Sequence, residues 1–538
     1  MGSMSGPSAG SIATAIHNQS VPVSGTLESG DTQRISASPD GHLEVAVRDP
    51  SSAYDEVRVV NLKPRVQIDA YYGLLTESDH EVRAESGGTV TASGSMFVLN
   101  SGTSSGGLAQ VRSRRLLRAR SGQGVTSRFS ALFDSTNAVA DSAQYWGPIT
   151  ATEGVFVGYS GATFGATRRI AGAQAIRKLT VSAGASGAES LSIVVNGAAP
   201  VVVAVASGSA AQNAAKIATA TFTGWVVQSV GAVIVFRQVD PAADVGAFTF
   251  TNTTGGGTCA ATWAQTLAGA PNDDDTEFVA QANWNRDVLD GSGSLANPSG
   301  MLLAPGLLNM WQITVPDSTG TMLVQVYDPT QRHFTTVHEF RHANTSATPS
   351  QLRPIYRLGG RSQSTGASGT EIVIKATELA GFVEGDINNF RAPYSATGAL
   401  AADATETHIL SIRLGLEFNG LVNQREAFIE SLSLSIESTA NRAGDLFIYR
   451  NATLAGSVQW QSLTGSASSM HYATGASITG FTANTPPMVT VKATQAAPGV
   501  RELFGRDIRM SPGDVFTMTV KMVSAAATAS GTISWRED

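Results

Sequence analysis

One run of this sequence matches a catalytic pattern: His338-Glu339-Phe340-Arg341-His342 is the H-E-x-x-H arrangement of zinc peptidases. On a helix, residues four apart share a face one turn apart, so both imidazoles reach one ion. The flanks here, Arg332 to Val337 and Ala343 to Thr345, alternate β-branched and aromatic residues and carry no helix cap. On a strand rising ~3.3 Å per residue, the two histidines point the same way but stand about 13 Å apart. Zinc holds each nitrogen at about 2.1 Å, and no downstream third ligand is spaced for it, so no metal site is expected.

Five arginines crowd together at Arg112, Arg114, Arg115, Arg118 and Arg120. Along a strand Arg112, Arg114, Arg118 and Arg120 fall on one face, where they could neutralise phosphates, an acidic glycan or an acidic partner. The same run suits a solvated sheet face, or an edge strand charged against aggregation. The net charge is −7, and no aromatic interleaving accompanies the run, so nucleic acid is not an expected partner. Asp273-Asp274-Asp275 with Glu277 clusters carboxylates as calcium would want, but lacks the spaced D-x-D-x-D-G pattern, so a hydrated loop is expected. Asp287 and Asp290 flank an Asp-Gly turn, and no strand carries the facing carboxylates of a glycosidase. Nucleophile elbows, phosphate loops and dinucleotide fingerprints are also missing, so neither catalytic residues nor a cofactor are expected. Tyr145-Trp146, Trp284 and Tyr356 could stack on sugars, but they sit in apolar runs where core packing is the default.

The elements that would hold these residues are strands. Short alternating runs recur about every ten residues with Gly-rich turns between them, for example Ser95 to Leu99, Ser127 to Phe133, Gly154 to Tyr159, Trp311 to Val315 and Met322 to Tyr327. This spacing predicts an antiparallel sandwich built from 41–175 and 271–385. Between them, 176–270 carries strands, an Ala-rich segment of helical spacing over Ala210 to Ala220, then strands again, and reads as a small α+β unit inserted in a host loop. Residues 386–538, with runs such as His408 to Leu416, Ala427 to Ile436, Gly456 to Trp460 and Val515 to Val520, read as a second all-β domain. Residues 1–40, rich in Ser, Gly, Thr and Ala, read as a flexible arm that docks elsewhere.

Composition agrees. Hydrophobic residues make up 42% and charged residues only 15%, against a usual ~25%, with 55 glycines supplying the turns. The most apolar stretch, Ile193 to Ala206, is broken by Asn196, Gly197 and Pro200, short of the roughly 18 residues a spanning helix needs, so no membrane partner is expected. The single Cys259 excludes an internal disulfide framework, and Met1 to Gly6 carries neither basic region nor apolar core, so no secretory signal is expected.

Several fragments carry a family likeness. Gly41 to Pro50 after the Ser/Thr-rich arm, Arg128 to Phe133, Phe156 to Gly165, Trp284 through Leu289 to Gly293, Asn297 to Met301, Gly381 to Gly385 and the terminal Ser534 to Asp538 together resemble virion structural proteins of tailed bacteriophages, which have relatives in large DNA viruses. The likeness runs in ordered fragments over most of 40–538. It implies a mainly β protein: a jelly-roll or lectin-like β-sandwich with a small α+β insertion, followed by a second all-β domain. It also implies a non-enzymatic, virion-located component that decorates a head or builds a fibre, spike or tail assembly, docked on other virion proteins through the arm. The low charge suits a chain covered by its own copies, so a homo-oligomer, a trimer above all, is expected. Two rival readings are a glycan- or receptor-binding virion protein contacting a host surface glycan and, behind it, a polysaccharide depolymerase.

Overall fold

The computed structural model describes residues 23–26, 32–37, 43–44 and 62–537, apart from 77, 119–122, 317–319, 346, 348, 352–354, 367–369, 385–392, 438–440, 456–457, 464–467, 475–479, 483–485, 496–498, 503–507 and 524. Residues 1–61 and 62–538 form two separate units. In the first, Val23–Thr26, Thr32–Ala37 and Leu43–Glu44 pair as a three-stranded antiparallel sheet, Val23 opposite Ile35 and Ser36 opposite Glu44. The rest of the Gly41 to Pro50 fragment, and Arg120 of the basic run, lie outside the described residues.

The second unit begins with two eight-stranded antiparallel sheets. One runs in the order His333–Phe340, Met322–Asp328, Asn309–Val315, Val125–Leu132, Val373–Glu384, Met96–Asn100, Thr89–Ser93, with Leu62–Ile68 also pairing Val373–Glu384. The other runs Phe278–Ala280, Thr163–Arg168, Val155–Ser160, Ser142–Ile149, Ile355–Ser364, Leu108–Ser113, His80–Glu85, with Leu117–Arg118 also on Ile355–Ser364. Side chains alternate about each strand with period two, and Met322–Asp328 buries every second residue as its sequence predicts. The inward sides share one core, in which Trp146, Trp311, Tyr356, Phe97 and Phe133 are almost wholly buried. Trp284 and Phe164 meet Trp311 there at ring-centroid distances of 6.4 and 6.1 Å. Gly360 leaves the space that Trp146 fills, since a Cβ on it would lie 2.3 Å from the indole.

The insertion leaves the sandwich after Arg168 and returns at Phe278. Two small sheets, Trp225–Val230, Val233–Gln238, Ile176–Ala183, Ala260–Leu267 and Val201–Val205, Glu189–Val194, Thr249–Asn252, enclose a core with the helix Ala210–Ile217. That helix starts where the alanine spacing predicts because Ser209 and Gln212 form a reciprocal capping box. It ends at Ile217, earlier than the expected Ala220.

After residue 392 a second β-sandwich follows. One sheet runs Tyr394–Ala402, Ala527–Glu537, Ala427–Glu437, Gly499–Glu502, and the other Gln461–Ser462, Met470–Thr474, Thr407–Leu414, Val515–Met522, Ala443–Arg450, Val489–Thr494. Ile409, Leu434, Phe516, Met518 and Trp535 fill the space between them. The strand expected over Gly456 to Trp460 is corrected: Val458 to Trp460 is irregular, and Trp460 lies 4.2 Å from the Arg413 guanidinium. Arg413 also donates to the Ser229 carbonyl, and Gly231 N donates to the Trp460 carbonyl at 2.9 Å, so this apolar run ties the insertion to the C-terminal sandwich.

Candidate functional site

The arginine run is not one strand. Leu108–Ser113 ends before Arg114, and pairing resumes only at Leu117–Arg118. Two consecutive apolar residues, Leu116 and Leu117, break the period-two alternation; both are buried, and the Leu116 amide donates to the Glu426 carboxylate at 3.0 Å. The single-face reading of Arg112, Arg114, Arg118 and Arg120 is therefore corrected. Arg112 pairs with Glu81 at 2.7 Å, Arg114 faces Asp514 at 3.7 Å, and Arg118 donates to the Gln424 carbonyl at 3.0 Å. Arg115 is exposed. These bonds run largely to residues of the C-terminal sandwich, so the run forms part of a joint between domains.

At that joint the first sandwich, the insertion and the C-terminal sandwich enclose a cleft of about 390 Å³. Arg112, Arg114 and Arg357 enter it from the first sandwich, and Arg237 from the insertion. Sequence reasoning missed Arg237 and Arg357 because they lie far along the chain from the basic run and only the fold brings them together.

The H-E-x-x-H run lies on the strand His333–Phe340, as its alternation predicts, with His342 beyond the strand end. His338 is buried, accepts a long 3.4 Å contact from the Asn285 amide, and burial pushes its imidazole down to about 4. Glu339 is held by Arg286 at 2.7 Å and Arg341 at 3.0 Å. The glutamate is thus a structural ion-pair partner. The Asp273–Asp275 cluster is equally occupied: Asp273 accepts from Thr276 and from the Asp275 amide, Asp274 from Arg169 at 2.6 Å, and Asp275 from Ser160 at 3.1 Å. Glu277 pairs with Arg168 at 2.8 Å. Asp287 and Asp290 organise a turn, accepting the Leu289 amide at 3.0 Å and the Ser292 amide at 2.9 Å. Tyr145, Trp146, Trp284 and Tyr356 are all buried core residues.

That turn opens a loop with an unusual surface. Leu295, Leu302 and Leu307 are 103%, 70% and 65% exposed, and Leu308 and Met310 follow them into solvent. The backbone beneath is fixed: Asn297 donates to the Asp290 carboxylate at 2.9 Å, the Ser299 amide to Asp287 at 3.0 Å, and the Asn309 side chain to the Ala304 and Leu307 carbonyls at 2.9 Å. The Phe133 amide donates to the Pro305 carbonyl at 3.0 Å. The loop is tied down by polar side chains and presents apolar ones outward. The sequence signal was available in Leu295, Leu302, Leu307, Leu308 and Met310 lying among Gly, Ser, Asn and Pro, where a core strand cannot use them.

Comparison with protein families and with curated proteins finds no match. Among solved structures, arcelin-5, a lectin-like defense protein from Phaseolus vulgaris, matches over 59% of this chain and 97% of its own, at 9% identity and a TM-score of 0.22. A basic winged bean lectin solved with Tn-antigen matches over 59% and 100%, at 10% identity and a TM-score of 0.20. The sheets themselves establish the fold class: mainly β, a β-sandwich carrying a small α+β insertion, followed by a second all-β domain.

Proposed function

We propose that this chain is a non-enzymatic structural protein of a virus particle of the tailed-bacteriophage kind, assembling with copies of itself and with neighbouring virion proteins as a head-decorating, fibre, spike or tail-associated component. The observation that carries the reading is the fixed segment Ser292 to Met310, in which Leu295, Leu302, Leu307 and Leu308 face solvent while Leu303 anchors it in the core and the bonds beneath hold the backbone in place. Covering each such leucine at an interface contributes about 1.5–3 kcal/mol. The family likeness of the sequence fragments points the same way, and so does the occupation of every catalytic-looking carboxylate by an arginine, a hydroxyl or a backbone amide.

The test is the chain with Leu302→Ser, Leu307→Ser and Leu308→Ser together. These side chains are exposed, so the variant keeps its melting temperature while its self-association weakens at least about a hundredfold, the scale of two lost leucine contacts. An unchanged association constant removes the loop from the interface and the reading with it.

A second reading, host-glycan binding, has one observation in its favour. Tyr71 and Tyr72 are 51% and 89% exposed, and exposed tyrosine rings stack on sugars. A glycan array in which specific hits vanish in Tyr72→Ala would promote it.

A further inference from the structure

We propose that the cleft between the three domains of residues 62–538 is a binding site for a tetrahedral oxyanion, a phosphate or sulfate group, whether free or carried as an ester on a larger molecule. Four guanidinium groups, Arg112, Arg114, Arg237 and Arg357, line the cleft with two carboxylates, Glu81 and Asp514. Glu81 is shared, accepting from Arg112 and from Arg357. Asp514 is already held at 2.8 Å by Arg450, which lies outside the cleft lining, and accepts the Ser511 amide at 2.9 Å. Two further acids lie near: Asp240, held by Arg83 at 2.5 Å, and Glu426, which accepts the Leu116 amide at 3.0 Å and whose charge acts on Arg357.

Arg237 is therefore left over. It stands on Val233–Gln238, its Nε is buried with no acceptor, and none of its nitrogens lies in an ion pair. The Nε of Arg112 is orphaned in the same way. Burial, and in second place the positive charge of Arg112, hold the Arg237 guanidinium down to about 10, so the two cations repel each other across the cleft. An unpaired guanidinium beside the Glu81-paired Arg112 is costly in a low-dielectric joint, and an anion bound at Arg237 removes that cost. Guanidinium forks match the oxygens of phosphate and sulfate in bidentate fashion, whereas a point cation would not. Thr150, Asn423, Asn451 and Ser511 add neutral polar groups to the wall. With a water occupying roughly 30 Å³, a cleft of about 390 Å³ holds the anion with space for an attached sugar-sized group. Because the walls come from three domains, the ligand would lock their mutual arrangement.

The test uses the full chain in dilute buffer, titrated calorimetrically with inorganic phosphate, inorganic sulfate and glucose 6-phosphate, with chloride at matched ionic strength as reference. The expected result is saturable binding of one anion per chain and a melting temperature that rises to a plateau. A general salting effect would instead rise without limit. Tighter binding of glucose 6-phosphate than of phosphate identifies an ester as the ligand, and the reverse order identifies the free ion. In Arg237→Met the affinity falls about tenfold or more, the scale of one charge-assisted hydrogen bond, while Arg237→Lys keeps part of it. The proposal is overturned if the wild-type chain gives no saturable heat with any of the three anions, or if Arg237→Met binds as tightly as the wild type. Should Arg237→Met fail to fold, the wild-type titration decides alone.

Discussion

At the residue scale, several of the described carboxylates serve structure. Glu189 shows how: its carboxylate takes the Thr258 amide at 2.9 Å, the Cys259 amide at 2.8 Å and the Asn252 side chain at 2.6 Å, closing the 253–258 loop over the insertion core. The Thr258 amide, foremost of these donors, holds the carboxyl at about 2. Cys259 lies buried beneath that loop, and burial pushes its thiol up. Glu189→Gln removes the charge that holds the amides, so Cys259 should react with a thiol reagent about tenfold faster or more than in the wild type, as local opening becomes easier. An unchanged rate would mean the loop is held by other contacts. Trp146 gives a second prediction. Its side chain is wholly buried against Gly360, so Trp146→Ala should cost about 3–5 kcal/mol in denaturant unfolding, and a loss below about 1 kcal/mol would contradict the packing described. Four histidines enter the pH response, His80 among them, its imidazole pushed down by burial. Burial lowers His338 and His408 to about 4 and His471 to about 3, against an ordinary 6.5. Below pH 6.5 the unfolded chain takes up protons that the folded chain refuses, so stability present above pH 6.5 drains away as pH falls towards 4. His408→Gln should flatten that decline in a series of melting curves, and an identical slope would show that carboxylates dominate it.

At the element scale, the sequence was most legible where burial is one-sided. Met322–Asp328 read correctly because alternate residues face one core, and the β-branched and aromatic residues before His338 placed the H-E-x-x-H run on a strand although burial in His333–Phe340 is not strictly alternating. The helix was readable from the alanine spacing after Ala210, and the capping box of Ser209 and Gln212 fixes its start. What failed were elements whose partners lie far along the chain. Arg112 to Arg118 looked continuous because five arginines mask the apolar pair Leu116-Leu117, whose burial depends on the C-terminal sandwich through Glu426. The run ending at Trp460 looked like a strand, yet its indole serves as a platform for Arg413 at a domain joint. The site residues fared likewise: Arg112 and Arg114 were visible as a cluster, whereas Arg237 and Arg357 join them only in three dimensions. Interdomain joints leave no periodic trace, because each side contributes residues scattered along the chain.

At the scale of the whole molecule, residues 62–538 bind their parts to one another with polar contacts: Lys178 to Glu417 at 2.8 Å, Arg83 to Asp240 at 2.5 Å, and Arg118 to the Gln424 carbonyl at 3.0 Å. In the Ser292 to Met310 segment, Leu303 packs into the core while Leu295, Leu302, Leu307, Leu308 and Met310 stay exposed. A low-charge surface with one such fixed apolar loop is the physical basis for reading this protein as a unit of a larger assembly. The most direct measurement is the solution mass of the intact chain by light scattering at micromolar concentration. The account predicts a stable multiple of the 55.8 kDa chain, three copies above all, that dissociates when Leu302, Leu307 and Leu308 are replaced by serine. A clean 55.8 kDa monomer across that concentration range would contradict it.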